Sequence, residues 1–234
     1  MKKQFITTAL LAVCTAGIAV GTIEASAKDY SGKSDSKVEF ESGTIVIPPV
    51  TPPVDPPITP PDTDFGLLYV PKEFNFKKTA VPATPTALTI NIDSTVESVA
   101  GANPTTKHVA MADLRGTYVG WKLEAKMTEL EGTTDSTRKL TGATITMSQA
   151  LKEVTDPATN TISDVVSTAQ QPTAVTGVTL TTTNTRILTG DATKGQGYWA
   201  GELTNIQLNI PASVSPVANE TYKGTVDWTL TDSI

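Results

Sequence analysis

The stretch that decides the fold is Trp121-Lys122-Leu123-Glu124-Ala125-Lys126-Met127, in which apolar side chains alternate with charged ones without a break. A period of two residues places one set on each side of an extended chain, so this is a strand with one buried and one wetted face. The same reading extends outward in both directions. Leu88, Ile90 and Ile92 oppose Thr89 and Asn91, and Ala143, Ile145 and Met147 oppose Thr144 and Thr146. Val178 and Leu180 oppose Thr179 and Thr181, and Ile206, Leu208 and Ile210 oppose Gln207 and Asn209. Near the end, Tyr222, Val226, Trp228 and Leu230 oppose Lys223, Thr225, Asp227 and Thr229. Many such strands with Gly, Pro, Asn and Asp between them predict an all-β domain over residues 65–234, an antiparallel β-sandwich or a barrel-like relative of it. One stretch, Gln149 to Val154, reads as a short helical turn. A domain of this length buries enough apolar surface to stand without disulfide or metal staples.

The first 64 residues have a different character. Lys2 and Lys3 precede a mostly apolar run from Phe5 to Val20, and Ala25-Ser26-Ala27 is a small-x-small cleavage site. The order of these parts is that of a secretory signal peptide, residues 1–27, with a mature chain starting at Lys28. Cys14, the only cysteine, lies inside that segment. Residues 28–47 are polar and read as a flexible N-terminal segment that ends in the short apolar run Thr44-Ile45-Val46-Ile47. Residues 48–64 are a linker, and its core PPVTPPVDPPITPP (48–61) holds eight of the sixteen prolines in the chain. Such a run adopts a polyproline II rod of roughly 43 Å at about 3.1 Å per residue. The reading is a stiff spacer. The C-terminal Thr231-Asp232-Ser233-Ile234 shows no hydrophobic tail or sorting motif, and the mature chain shows no apolar stretch long enough to span a bilayer.

Composition excludes several functions. The formal charge of the 234 residues is −6, and cleavage after Ala27 removes Lys2, Lys3 and Glu24 and takes it to −7. That balance is wrong for nucleic acid, whose phosphates require Lys and Arg. One Cys and one His leave no Cys/His metal set and no disulfide framework. A hydrolase triad would have to use His108, which reads as exposed at the start of a strand, and no G-x-S-x-G elbow is present. Asp113, Glu124, Asp191, Glu202 and Asp227 are carboxylates, but nothing in the sequence pairs them across a cleft as a glycosidase requires. Asp191, in a Gly-containing loop, is at most a faint calcium signal. No phosphate loop, dinucleotide fingerprint or EF-hand loop occurs. The expectation is a chain with no catalytic residues, no metal and no cofactor.

Two short motifs repeat. Trp121-Lys122-Leu123 and Trp228-Thr229-Leu230 share the form W-x-L. The first is approached through Asp113-Leu114-Arg115-Gly116, Thr117-Tyr118-Val119 and Gly120, and the second closes the chain after Tyr222-Lys223-Gly224-Thr225-Val226-Asp227. Between them lies Gly195-Gln196-Gly197-Tyr198-Trp199. A single W-x-L has no weight. Two, with the D-x-R-G approach, the G-x-G-x-W segment and the C-terminal position, resemble the WxL-domain family of Gram-positive surface proteins over residues 65–234. Asp232-Ser233-Ile234 stands where that pattern would place a proline.

The resemblance implies a secreted protein held non-covalently on the cell wall, with peptidoglycan as the ligand. It also implies a membrane-anchored, WxL-interacting surface protein as a partner. Two functions follow, a wall-binding module and an interaction subunit that reaches the wall through its partner.

The alternation itself places both tryptophans, with Leu123 and Leu230, on core-facing sides. Replacing a buried Trp by Ala costs about 3–5 kcal/mol, so lost binding in such a variant would not locate a ligand. The candidate contact surface is therefore Tyr118, Tyr198 and Trp199. Of the adjacent pair, Trp199 shares a strand face with Gly201 and Leu203, which leaves Tyr198 outward beside Glu202. Asp113 and Arg115, two residues apart on an extended chain, read as an ion pair that fixes the turn.

Overall fold

The computed structural model describes residues 43–46, 64–95 and 105–232. The signal peptide, most of the segment read as flexible, nearly all of the proline-rich linker and the last two residues lie outside them.

Among the described residues thirteen strands follow one another: β1 (Phe65–Tyr69), β2 (Leu88–Asn91), β3 (Lys107–Asp113), β4 (Trp121–Met127), β5 (Glu131–Gly132), β6 (Thr144–Asp156), β7 (Thr161–Ser163), β8 (Thr173–Ala174), β9 (Gly177–Leu180), β10 (Thr185–Gly190), β11 (Gly197–Ile210), β12 (Tyr222–Lys223) and β13 (Val226–Thr231). They form a seven-stranded sheet, β1-β3-β11-β6-β7 with β2 beside β11 and β9 beside β6, and a four-stranded sheet, β13-β4-β10-β8. β5 and β12 make a small separate ribbon. Pairing is antiparallel throughout. The two larger sheets pack face to face as a sandwich over one apolar core. Phe65, Met111, Ile145, Trp199, Leu203 and Leu208 come from the larger sheet, and Trp121, Leu123, Ile187 and Leu188 from the smaller.

The alternation in β4 is realised residue by residue: Trp121, Leu123, Ala125 and Met127 are buried, and Lys122, Glu124 and Lys126 are not. Ile145 and Met147, Val178 and Leu180, and Ile206, Leu208 and Ile210 are buried in the same core. The C-terminal strand differs in degree. β13 pairs only with β4 among the described residues, so Trp228 and Leu230 pack on the core but stay half-buried. An edge strand has a neighbour on one side only, and its inward side chains keep contact with water.

The helical turn expected over Gln149–Val154 is not formed. These residues continue β6, which runs for 13 residues and pairs with β11 across a bulge between Thr204 and Gln207. Tertiary pairing in the middle of a seven-stranded sheet overrides a weak local preference.

The larger sheet also buries part of its opposite face. Leu68, Tyr69, Ala110, Ala112, Val154 and Ala200 form a second, smaller apolar cluster there. Ile45 joins it, Gly43 N–H donates to the Leu114 carbonyl at 3.2 Å, and Val46 N–H donates to the Tyr198 hydroxyl oxygen at 3.0 Å. The last described residues of the segment read as flexible are thus docked on this face.

His108 is a further difference from the sequence reading. It lies within β3 and is 6% exposed rather than open to solvent. Its Nε2 faces Glu202 Oε2 at 3.5 Å, and Lys152 Nζ sits 3.7 Å from Glu202 Oε1. Burial is the largest influence on its pKa and lowers it, against the pull of Glu202 and with the help of Lys152. The folded protein therefore binds fewer protons at this site than the unfolded chain does once pH falls below about 6.5. The contribution of this site to stability should be flat above that value, decline as pH drops towards the lowered folded pKa, and level off again below it. Urea unfolding between pH 7.5 and 5 checks this, with His108→Gln expected to remove the decline in that interval.

Candidate functional site

Two connections cross from one sheet to the other at the same end of the sandwich. Residues 114–120 join β3 to β4, and residues 191–196 join β10 to β11. They are neighbours because their flanks are paired, Asp113 with Gly197 and Trp121 with Gly190. The D-x-R-G approach, the first W-x-L and the G-x-G-x-W segment all meet here.

Trp121 opens β4 and is fully buried. Its indole N–H donates to the Gly195 carbonyl at 3.1 Å. Trp199, 1% exposed, donates to the same Gly195 carbonyl at 3.1 Å and to the Gln196 carbonyl at 3.2 Å. One backbone oxygen thus accepts both indoles. A buried indole N–H needs an acceptor, and the 191–196 turn supplies it.

The turn closes directly onto the Trp121 ring. A Cβ on Gly190 would collide with the indole nitrogen, and one on Gly195 would lie 2.7 Å from both that nitrogen and the Gly190 Cα. Gly195 also has φ +96°, open only to glycine at low cost. The turn is held from inside and outside. Asp191 Oδ1 accepts from Thr193 N–H at 2.8 Å and from its hydroxyl at 2.9 Å, and these bonds hold the Asp191 carboxyl below its usual range. Gly195 N–H donates to the Gln170 carbonyl at 2.7 Å, which ties the turn to the short 3-10 helix Thr168–Gln170.

The other connection is clamped by one side chain. Arg115 donates to both carboxylate oxygens of Asp113 at 2.9 Å, and to the Gly120 carbonyl at 3.4 Å. Its guanidinium lies over the Phe65 ring, 3.9 Å from the centroid. A planar fork bound at two points and stacked on a ring holds the loop in one shape. That shape presents Tyr118, 43% exposed, and Val119, 51% exposed. Tyr118 sits at φ +54°, a left-handed conformation that costs a bulky residue about 1–2 kcal/mol. Strain held at an exposed aromatic is a pointer towards function.

The three contact candidates therefore have different fates. Tyr118 is exposed and pinned. Tyr198 is half-buried on the second apolar cluster, and its hydroxyl oxygen is engaged by Val46. Trp199 is corrected outright, since it is a core residue with its N–H satisfied; it faces inward with Leu203, and the surface reading fails on burial. Of the tryptophan pairs, Trp121 and Leu123 are wholly inside, whereas Trp228 is half-buried with an Nε1 that lacks a hydrogen-bond partner among the described residues. The sequence reading missed Val119, and it missed that 191–196 covers Trp121. The spacing Gly190-Asp191-x-Thr193-x-Gly195 carried the signal, an Asx turn between two glycines. Among the described residues no group of three or more His, Cys, Asp or Glu is placed to hold a metal ion.

A family model described as WxL domain surface cell wall-binding matches residues 27–233, which takes in the proline-rich stretch as well as the sandwich. No curated protein matches the chain.

Gly190→Ala should be costly out of proportion to one methyl group, because the new Cβ meets a fully buried ring that has no room to move. A loss of about 1–3 kcal/mol is expected from overpacking. Denaturant unfolding checks it. Ala192→Ser, at an exposed position of the adjoining turn, should stay within about 0.5 kcal/mol of the parent.

Proposed function

Because the chain belongs to the WxL domain family of surface cell wall-binding proteins, we propose that it is a non-catalytic exported protein that holds itself on a Gram-positive wall by direct, non-covalent recognition of peptidoglycan. The observation that carries the reading is the Tyr118-Val119 knuckle, an aromatic and an aliphatic side chain held out to solvent on a strained backbone by a clamped arginine. An aromatic face matches the apolar face of a sugar ring, and a fixed loop loses little entropy on binding. The buried tryptophans serve this surface indirectly by shaping the adjoining turn.

Charge sets the mode of binding. With a formal charge of −6 on the full sequence, the protein gains nothing from long-range attraction to an anionic wall. Recognition then rests on shape and hydrogen bonding, which salt screens weakly. Among the described residues no helix is long and apolar enough to cross a membrane, which suits a protein held from outside.

A second reading has one specific observation in its favour. β13 lies at an edge of the four-stranded sheet and pairs only with β4 among the described residues, so a membrane-anchored surface protein could add a strand beside it. In that case the chain would reach the wall through its partner.

A sedimentation assay with protein-free peptidoglycan separates the two. The purified protein should bind saturably, and binding should survive a rise in salt from about 50 to 500 mM. Tyr118→Ala should bind at least about fivefold more weakly with stability within about 0.5 kcal/mol of the parent, as expected for an exposed side chain. Absence of binding by a folded protein would favour the partner-mediated reading.

A further inference from the structure

A groove of about 470 Å³ opens where β6, the 3-10 helix and β8 meet the 191–196 turn. Gln149 and Pro172 are its buried residues, and Thr168, Gln171, Thr176 and Lys194 stand at its exposed walls. Gln149 is 6% exposed. It reaches from the larger sheet to the smaller, and its Nε2 donates to the Ile187 carbonyl at 3.3 Å. Gly201 on β11 makes room for it, since a Cβ there would lie 3.0 Å from that nitrogen. Among the described residues the Gln149 Oε1 has no hydrogen-bond partner. A buried acceptor left unpaired costs about 1–3 kcal/mol; this oxygen is closed off from solvent, so a ligand N–H meets it when the glutamine amide turns into the groove, and gains more there than at an open surface.

The remaining lining narrows the ligand. Threonine hydroxyls and the Gln171 amide offer both donors and acceptors. Ala150 on β6 and Thr173 and Ala174 on β8 are small, which leaves space for methyl-sized groups beside Leu151. Lys194 brings one positive charge and makes no ion pair within 4.0 Å among the described residues. A single cation on an acidic protein suits one carboxylate and not a polyanionic chain.

We infer that this groove binds a short peptide with small side chains and a free terminal carboxylate, as the peptide arms of peptidoglycan have, with a peptide N–H donating to Gln149 Oε1 and the carboxylate paired with Lys194. The inference rests on the wall-binding reading and gives that reading a second subsite, distinct from the Tyr118 knuckle. The two subsites are linked through the turn. Gly195 N–H is fixed on Gln170 at one side of the groove, while its carbonyl is fixed on Trp121 and Trp199. Trp121 is thus a positioning residue for Lys194.

The probe is N-acetylated Lys-D-Ala-D-Ala, titrated into the isotope-labelled protein and followed by amide chemical shifts. Saturable shifts are expected at residues 149–151, 168–176 and 194. The C-terminally amidated peptide should bind about fivefold more weakly, and Lys194→Glu should weaken the free acid by at least that factor while leaving the amide nearly unaffected. A chitin tetramer, which carries the glycan but no peptide, should leave the groove signals in place. Shifts confined to other residues, or equal affinity of the acid and amide for both proteins, would overturn the groove assignment. Sedimentation with intact peptidoglycan is run on the same samples. Its failure alongside groove-centred peptide shifts would remove the wall reading and leave the peptide site standing, so the two ideas fail separately.

Discussion

One backbone oxygen, the Gly195 carbonyl, accepts the indole N–H groups of both Trp121 and Trp199. The two rings come from opposite sheets, Trp121 from β4 and Trp199 from β11, so this oxygen sits where the sheets close on each other. Moving it would leave the buried Trp121 N–H unpaired, at a cost comparable to a lost buried hydrogen bond, and would leave Trp199 with the Gln196 carbonyl alone. The constraint reaches further than the bonds themselves. Gly190 and Gly195 must lack side chains for the turn to lie on the Trp121 ring, and Gly197 must pair with Asp113 for β11 to start where it does. Asp113 in turn is the residue that Arg115 grips. A chain of local requirements thus connects the first W-x-L, the G-x-G-x-W segment and the D-x-R-G approach, which lie far apart in sequence.

This arrangement changes what the tryptophan motif means. An aromatic in a wall-binding protein invites the idea of a sugar platform, yet Trp121 has no exposed surface to offer. Its contribution is to pin a crossing turn, and that turn delivers Lys194 to one side and borders the Tyr118 loop on the other. The second W-x-L is not equivalent. Trp228 lies on an edge strand, half-buried, and packs against the core from its margin. Two copies of one motif therefore occupy two environments, one at the centre of the fold and one at its border. On the reading proposed above, the contact surface is assembled from residues beside the motif and not from the motif itself.

The sandwich was legible because its strands alternate cleanly. In β4 four apolar residues alternate with three charged ones, and no competing period exists. The same clarity was absent in Gln149–Val154, where Ala, Leu, Lys and Glu are good helix formers and only the pairing with β11 reveals a strand. Burial of His108 was illegible for a related reason. β3 is buried along both faces, because the second apolar cluster covers the side that alternation would assign to water, and that cluster is formed in part by Ile45, outside the domain boundary drawn at residue 65. At the site, the inward direction of Trp199 followed from its strand-mates, and Tyr118 stood out as an aromatic off the core alternation on the approach to the first W-x-L. The groove at Gln149 could not be read from sequence, since it depends on a glutamine crossing between sheets and on a turn fixed by two tryptophans.

Trp121 and Trp199 join the two sheets through one buried backbone oxygen and, on the reading proposed above, do not contact the wall. The most direct test is the solvent exchange of the three indole N–H protons, measured by NMR in the free protein and with soluble peptidoglycan fragments. Trp121 and Trp199 should be strongly protected in both states, because each is bonded to the Gly195 carbonyl inside the core. Rapid exchange of either proton in the free protein, followed by protection when fragments are added, is the signature of a tryptophan that stacks on ligand and would contradict the account.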